Sequence, residues 1–298
     1  SACSGGMIEG SSSGVPGTGG DGNFGAGGSS GSGGAVVEGT GGVVTDGGAG
    51  TGGSDGTGGT TMAPPDGSAD QQSDGFIPTN GPPPAIDYSI WQLQLPTGSG
   101  TSPTTVGAIE LPTFSNLYFY KADDGGQIFM DPVTGITTTN SVHPRTELRE
   151  MAPGGGGAAW SASGTNTMTV KGKVLKGSSV TIAQVFNGPS SITLAELQYS
   201  SGGFTLFYEE ARGQGGSTGL GNAVPLNTPY TFTMSLTKNI LTVSINGKSV
   251  FTRTPSAGTL GSKFYFKVGN YDQTTSKGAI STTARSTVEV YSAAVVHQ

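Results

Sequence analysis

The chain has 298 residues, of which 54 are glycine and only 33% are hydrophobic, a composition that excludes uniform packing along its whole length. All 14 Lys and Arg residues follow position 80, whereas eight of the 20 acids precede it, so the formal net charge of −6 divides into a tract near −8 and a remainder near +2. One cysteine excludes an intrachain disulfide framework, two histidines argue against a histidine-based metal centre, and the weak, scattered basic charge excludes a duplex nucleic-acid binder.

Half of the glycines, 27 of 54, fall in residues 1–80, a stretch with almost no large apolar side chain. Such a segment cannot bury enough apolar surface to offset chain entropy, and residues 1–82 read as a disordered Gly/Ser/Thr/Asp-rich linker. Its opening, Ser1-Ala2-Cys3-Ser4-Gly5, resembles the cleavage point of a bacterial lipoprotein signal. On that reading Cys3 carries a lipid, the linker is a tether, and the protein is secreted or held at the outer surface. An ordinary cysteine in a tail is the plainer alternative. No run of about 18 apolar residues occurs, so that lipid is the one membrane contact expected.

Residues 83–298 read as one domain acting as a monomer. Trp91, Leu93 and Leu95 alternate with Gln92 and Gln94 until Pro96, which predicts a first strand over 88–96. Similar period-two runs predict strands over 116–120, 127–130, 146–151, 167–175, 180–186, 192–199, 204–209, 230–237, 241–245, 249–253, 263–268 and 286–296. Asn246-Gly247 between two of them predicts a hairpin, because both central positions of a type I′ turn need positive φ. No segment has a sustained helical period. About a dozen short strands with Gly, Pro, Asn and Asp between them predict an all-β fold, an antiparallel β-sandwich or jelly roll with a cleft across its concave sheet.

Three strands carry candidate chemistry. Arg145, Glu147 and Arg149 share one face of 146–151 with Leu148 on the other, a set of guanidiniums and a carboxylate suited to a repeating carboxylate ligand, or else a salt-bridge ladder on a solvated face. In 180–186, Gln184 and Phe186 face opposite to Ala183 and Val185, and the pattern leaves open which face is the cleft. In the third, Tyr265, Lys267, Gly269, Tyr271 and Gln273 alternate against Phe264, Phe266 and Val268. Gly269 permits close approach to the backbone, and Tyr271 near a lysine is a candidate proton-transfer group, since neighbouring cations favour a phenolate.

Arg145-Thr146-Glu147-Leu148-Arg149, Gln184-Val185-Phe186 and Tyr265-Phe266-Lys267-Val268-Gly269-Asn270-Tyr271-Asp272-Gln273, in this order, resemble the three signature strands of the alginate lyases of polysaccharide lyase family 7. The opening Trp91 to Pro96 is similar to that family's first strand. The resemblance implies a jelly roll that cleaves 1,4-linked uronate polymers by β-elimination, with no cofactor and no metal. It assigns Arg145 and Gln184 to neutralising the C6 carboxylate and Tyr271 to protonating the departing 4-oxygen. Glu147, Arg149, Lys267, Phe186 and Gln273 fall to substrate binding.

Two positions depart from the family's pattern. Asp272 stands where the family has Asn, which alters a supporting hydrogen bond. Phe186 stands where the family has the histidine that serves as base. In mannuronate the C5 hydrogen and the C4 oxygen leave from one face, so Tyr271 alone could act as base and acid; in guluronate they leave from opposite faces and two groups are needed. The expected partner is therefore an acidic polysaccharide, alginate or polymannuronate, with glucuronan as the alternative because glucuronate shares mannuronate's configuration at C4 and C5. His143, two residues before Arg145, is either a replacement catalytic base or a loop residue capping the strand. A glycoside hydrolase would need paired carboxylates across the cleft, and adjacent Glu209 and Glu210 point to opposite faces. A non-catalytic polyuronate-binding module is the other rival; it has no need of a tyrosine beside the carboxylate-binding set.

Overall fold

A computed structural model of the chain describes residues 85–221 and 223–298. Cys3 and the expected linker over 1–82 lie outside the described residues. A single 3₁₀ turn, Tyr88–Ile90, precedes β1 (Trp91–Ser99), β2 (Ser102–Val106), β3 (Phe119–Lys121), β4 (Gln127–Pro132), β5 (Thr134–Gly135), β6 (Thr146–Ala152), β7 (Gly156–Gly157), β8 (Trp160–Ser161), β9 (Asn166–Lys176) and β10 (Ser179–Asn187). There follow β11 (Ile192–Ser200), β12 (Gly203–Ala211), β13 (Gln214–Gly219), β14 (Tyr230–Thr237), β15 (Ile240–Ile245), β16 (Lys248–Arg253), the four-residue helix α1 (Ala257–Leu260), β17 (Lys263–Asp272), β18 (Ser276–Lys277) and β19 (Ala284–His297).

Two large antiparallel sheets form a β-sandwich of jelly-roll type. One runs β13-β12-β11-β10-β17-β6-β1-β2 with β7 and β8 attached at β6 and β17; the other runs β16-β15-β14-β9-β19-β4-β3. Alternation explains both. In β14, Tyr230, Phe232, Met234 and Leu236 are buried while the Thr and Ser residues between them are half-buried on the outer side. Their counterparts from the larger sheet include Leu93, Leu148, Val185, Phe266 and Val268, all within one core. Asn246 and Gly247 have φ of 50° and 78°, as the expected type I′ hairpin between β15 and β16 requires.

Three expected boundaries are corrected. Residues 88–90 turn instead of extending, because Asp87 Oδ1 accepts the Ser89 N–H at 3.0 Å. Strand 116–120 begins only at Phe119, because Asn116 Oδ1 accepts the N–H groups of Tyr118 and Phe119, each at 2.9 Å. Conversely, β17 continues past Val268 to Asp272. Gly269 adopts φ 148°, where a Cβ would lie 2.6 Å from the Thr146 carbonyl oxygen, so the close approach anticipated there is that of β6. Asn270 is pinned between the sheets, donating to Phe129 O and accepting from Ser286 Oγ, both at 2.9 Å. Beside it, Thr146 Oγ1 donates to Met130 O at 2.7 Å and the Asp272 N–H to Asp131 Oδ2 at 3.0 Å.

Candidate active site

The three candidate strands are neighbours, in the order β10-β17-β6-β1. Their register sets the outward side chains in rows across the sheet. Gln184 is opposite Lys267, Lys267 opposite Arg149, and Arg149 opposite Gln92. One row along, Gly269 is opposite Glu147 and Glu147 opposite Gln94; beyond it, Thr181 is opposite Tyr271. On the other side Phe186 is opposite Tyr265. The cleft face of β10 left open by pattern alone is thus the one bearing Gln184 and Phe186. A cleft of about 470 Å³ lies over this floor, lined by Gln94, Glu147, Arg149, Phe186, Tyr265 and Lys267, with the 157–159 and 188–191 segments as walls.

Charge on the floor is continuous. Glu147 Oε2 lies 3.1 Å from Arg145 Nη1 and 3.6 Å from Lys267 Nζ. Lys267 Nζ sits 4.4 Å from the centroid of the Phe186 ring, and the Arg149 guanidinium 4.4 Å from that of Tyr265. Phe186 and Tyr265 pack at 5.1 Å. Glu147 is thus shared between two cations, with Arg149 opposite Lys267 on the same face. Phe186, two residues from Gln184 on β10, has no titratable atom.

Tyr271 lies beyond Glu147. The Arg145 guanidinium stacks on its ring at 3.7 Å, and its hydroxyl is 3.2 Å from Ser141 Oγ. Ser141 also accepts from Arg145 Nη2 at 3.2 Å and gives its own proton to His143 O at 2.9 Å. With that proton committed, the phenol is the donor in its bond to Ser141. Sequence reasoning missed Ser141, since a serine in an irregular loop has no periodic signal. His143 borders the same tyrosine, ring to ring at 6.1 Å. Its Nδ1 is 2.6 Å from the Thr275 carbonyl oxygen, which can only accept, so Nδ1 carries hydrogen and the neutral ring has its lone pair on Nε2. The Lys277 N–H donates to Val142 O at 2.9 Å, fastening this loop to the turn after β17. Gln273, expected among the binding residues, donates from Nε2 to Thr181 Oγ1 at 3.2 Å and to the Tyr271 carbonyl at 3.1 Å, bracing the end of β17.

Asp272 faces away from the cleft. Its Oδ1 accepts from the Thr274 N–H at 2.7 Å and hydroxyl at 2.6 Å. Asp131, fully buried behind it, keeps its proton well above the usual carboxylate range; burial is the main cause, and the charges of Asp272 and Glu147 act in the same sense. A folded-state value above the unfolded one means that the folded protein binds the extra proton, so this stability is complete at low pH and is lost as pH rises through the folded value. Asp131→Asn retains an acceptor for the Asp272 N–H and cannot ionise. Its unfolding midpoint should match wild type near pH 4 and exceed it near pH 9; an offset that is the same at both would refute the buried-acid assignment. Among the described residues, no group of three or more His, Cys, Asp or Glu side chains is placed to hold a metal ion.

Comparison with known proteins agrees with this geometry. The family profile described as alginate lyase matches residues 86–297. Among solved structures, alginate lyase A1-II′, a member of polysaccharide lyase family 7, is 28% identical over 72% of this chain and 96% of its own, with a TM-score of 0.62. An alginate lyase from Corynebacterium sp. is 26% identical over 72% of this chain and 96% of its own, also at 0.62. An alginate lyase from Pseudomonas aeruginosa, at 24% identity and a TM-score of 0.63, shares the fold over 71% of this chain and all of its own. No curated protein matches. With its signature strands adjacent in one sheet and their polar faces lining one cleft, the chain belongs to the alginate lyase family and is a polysaccharide lyase of family 7.

Proposed function

We propose that this lyase cleaves 1,4-linked uronates of mannuronate configuration by syn elimination, with Tyr271 as both base and acid. The observation that carries the proposal is Phe186: the side chain beside Gln184 cannot take a proton, while Tyr271 lies under Arg145 with its hydroxyl anchored. Arg145 and Gln184 neutralise the C6 carboxylate, which makes the C5 proton acidic. The phenol first gives up its proton to solvent, and the tyrosinate left against the stacked guanidinium takes the C5 proton; the C4–C5 double bond forms as the C4–O4 bond breaks, and the tyrosine gives the proton to O4, which regenerates the tyrosinate. A tyrosine-to-phenylalanine variant of A1-II′ has been solved with product (GGG), and a variant that also replaces a histidine by asparagine with substrate (GGMG). By analogy the same groove takes an acidic polysaccharide here, without a histidine at position 186. Glucuronan presents the same leaving geometry and is the second substrate expected.

The test is a panel of polymannuronate, polyguluronate, mixed alginate and glucuronan, followed by the ultraviolet absorbance of the 4,5-unsaturated product end. Polymannuronate or glucuronan should be cleaved at least about tenfold faster than polyguluronate, a difference that loss of one proton-transfer group readily supplies. Equal or faster cleavage of polyguluronate would overturn the syn mechanism.

A further inference from the structure

Gln184 and Glu196 stand directly opposite one another in the β10–β11 pair. Facing side chains of this kind have Cβ atoms about 4.5–5.5 Å apart. Both are buried, and Gln184 Oε1 has no hydrogen-bond partner among the described residues. Glu196 Oε1 takes the Thr181 hydroxyl proton, and Thr181 in turn accepts from Gln273. The second Glu196 oxygen is thus on the residue that directly faces an amide whose carbonyl has no donor among the described residues. A carboxylate has no hydrogen to offer there, whereas a carboxylic acid does.

We propose that Glu196 works as a neutral acid whose O–H donates to Gln184 Oε1, turning the Gln184 amide nitrogen toward the C6 carboxylate of the substrate. Glu196 is then a positioning residue, and the inference rests on the lyase reading for the carboxylate that Gln184 meets. Burial supports it, pushing the Glu196 carboxyl upward against the opposing bond from Thr181. Of the charged groups on neighbouring strands, Glu147 acts in the same sense while Arg145 and Lys267 oppose it. On β12, Phe207 stands opposite Glu196, with Glu209 two residues further on. Ionised, Glu196 would instead accept from the amide nitrogen. The carbonyl would then face the substrate, with a negative charge added beneath an anionic ligand.

Infrared difference spectra between wild type and Glu196→Gln report the acid directly: the carbonyl stretch of a protonated carboxyl should be present in wild type at neutral pH and missing from the variant. In kinetics on polymannuronate, wild-type KM should climb on the alkaline side while that of Glu196→Gln, whose amide donates at any pH, stays flat and near the neutral wild-type value. Glu196→Ala, leaving the Gln184 carbonyl unpartnered, should raise KM about tenfold. Absence of the band, parallel pH profiles, or Glu196→Gln as impaired as Glu196→Ala would overturn the proposal. If Glu196→Ala does not fold, the spectra and the Glu196→Gln profile decide the matter. A wild type that shows the band yet yields no ultraviolet signal from any polyuronate sinks the lyase reading and upholds the neutral acid.

Discussion

Replacing Tyr271 by phenylalanine should lower turnover on polymannuronate by at least about a thousandfold while KM stays within about threefold of wild type. General acid and general base each contribute roughly 10²–10⁴ in rate, and the syn mechanism loses both with one oxygen atom. Binding should survive because the hydroxyl is a small part of what Tyr271 contributes to the site. The ring that stacks on Arg145 at 3.7 Å is kept, and so are the contacts of Glu147 to Arg145 and Lys267. Single-turnover absorbance with matched binding measurements separates kcat from KM. His143→Ala, which removes the ring bordering Tyr271 and its bond to Thr275, is the companion variant. Near-normal turnover in Tyr271→Phe together with a dead His143→Ala would move the base to His143.

Arg145 carries the second large effect. It is 1% exposed and bonds to Glu147 and Ser141 while its guanidinium covers Tyr271, so one planar group connects the charge network to the tyrosine proposed as base and acid. Arg145→Ala should lower kcat/KM by about a thousandfold, since it removes charge stabilisation at the developing enolate as well as the support for Tyr271. It should also cost about 3 kcal/mol of stability, because the buried Glu147 loses its 3.1 Å partner and, among the described residues, keeps the longer contact to Lys267. Arg145→Lys distinguishes the two losses. An ammonium restores a charge to Glu147 but cannot also reach Ser141 and stack on a ring, so folding stability should largely return while turnover remains depressed about a hundredfold. Chemical denaturation and the absorbance assay measure the two independently. Arg145→Lys with wild-type turnover would show that charge alone suffices.

The parts of the site that were legible in the sequence are those written with a period of two. Glu147 and Arg149 around Leu148, and Tyr265 and Lys267 around Phe266, line one cleft because strands alternate and the strands that carry them pair side by side, with Tyr271 stacked on Arg145 further along the same sheet. Strand length was less legible. Ser102–Val106 and Gln214–Gly219 carry no large apolar alternation, and they form edges whose pairing comes from the backbone of a neighbour. Ser141 and Glu196 were invisible for a different reason. Their roles depend on which side chain lies across a strand pair or above a loop, and register of that kind is fixed by tertiary packing and by the bulges in β10. Gly269 was legible as a point of close backbone approach, and it is where β17 is pressed against β6, with Asn270 bonded through to the opposite sheet.

That bonding makes the enzyme's activity inseparable from its global fold. Asn270, Asp272 and Thr146 reach through the molecule to Phe129, Asp131 and Met130 of β4, so the floor under Tyr271 cannot detach without parting the two layers. A lid or loop site can melt ahead of its scaffold, but this one is built from the scaffold's own core strands. Heat inactivation and loss of the β-sheet signal will therefore fall on one curve, and residual activity after warming will count the fraction of molecules still whole.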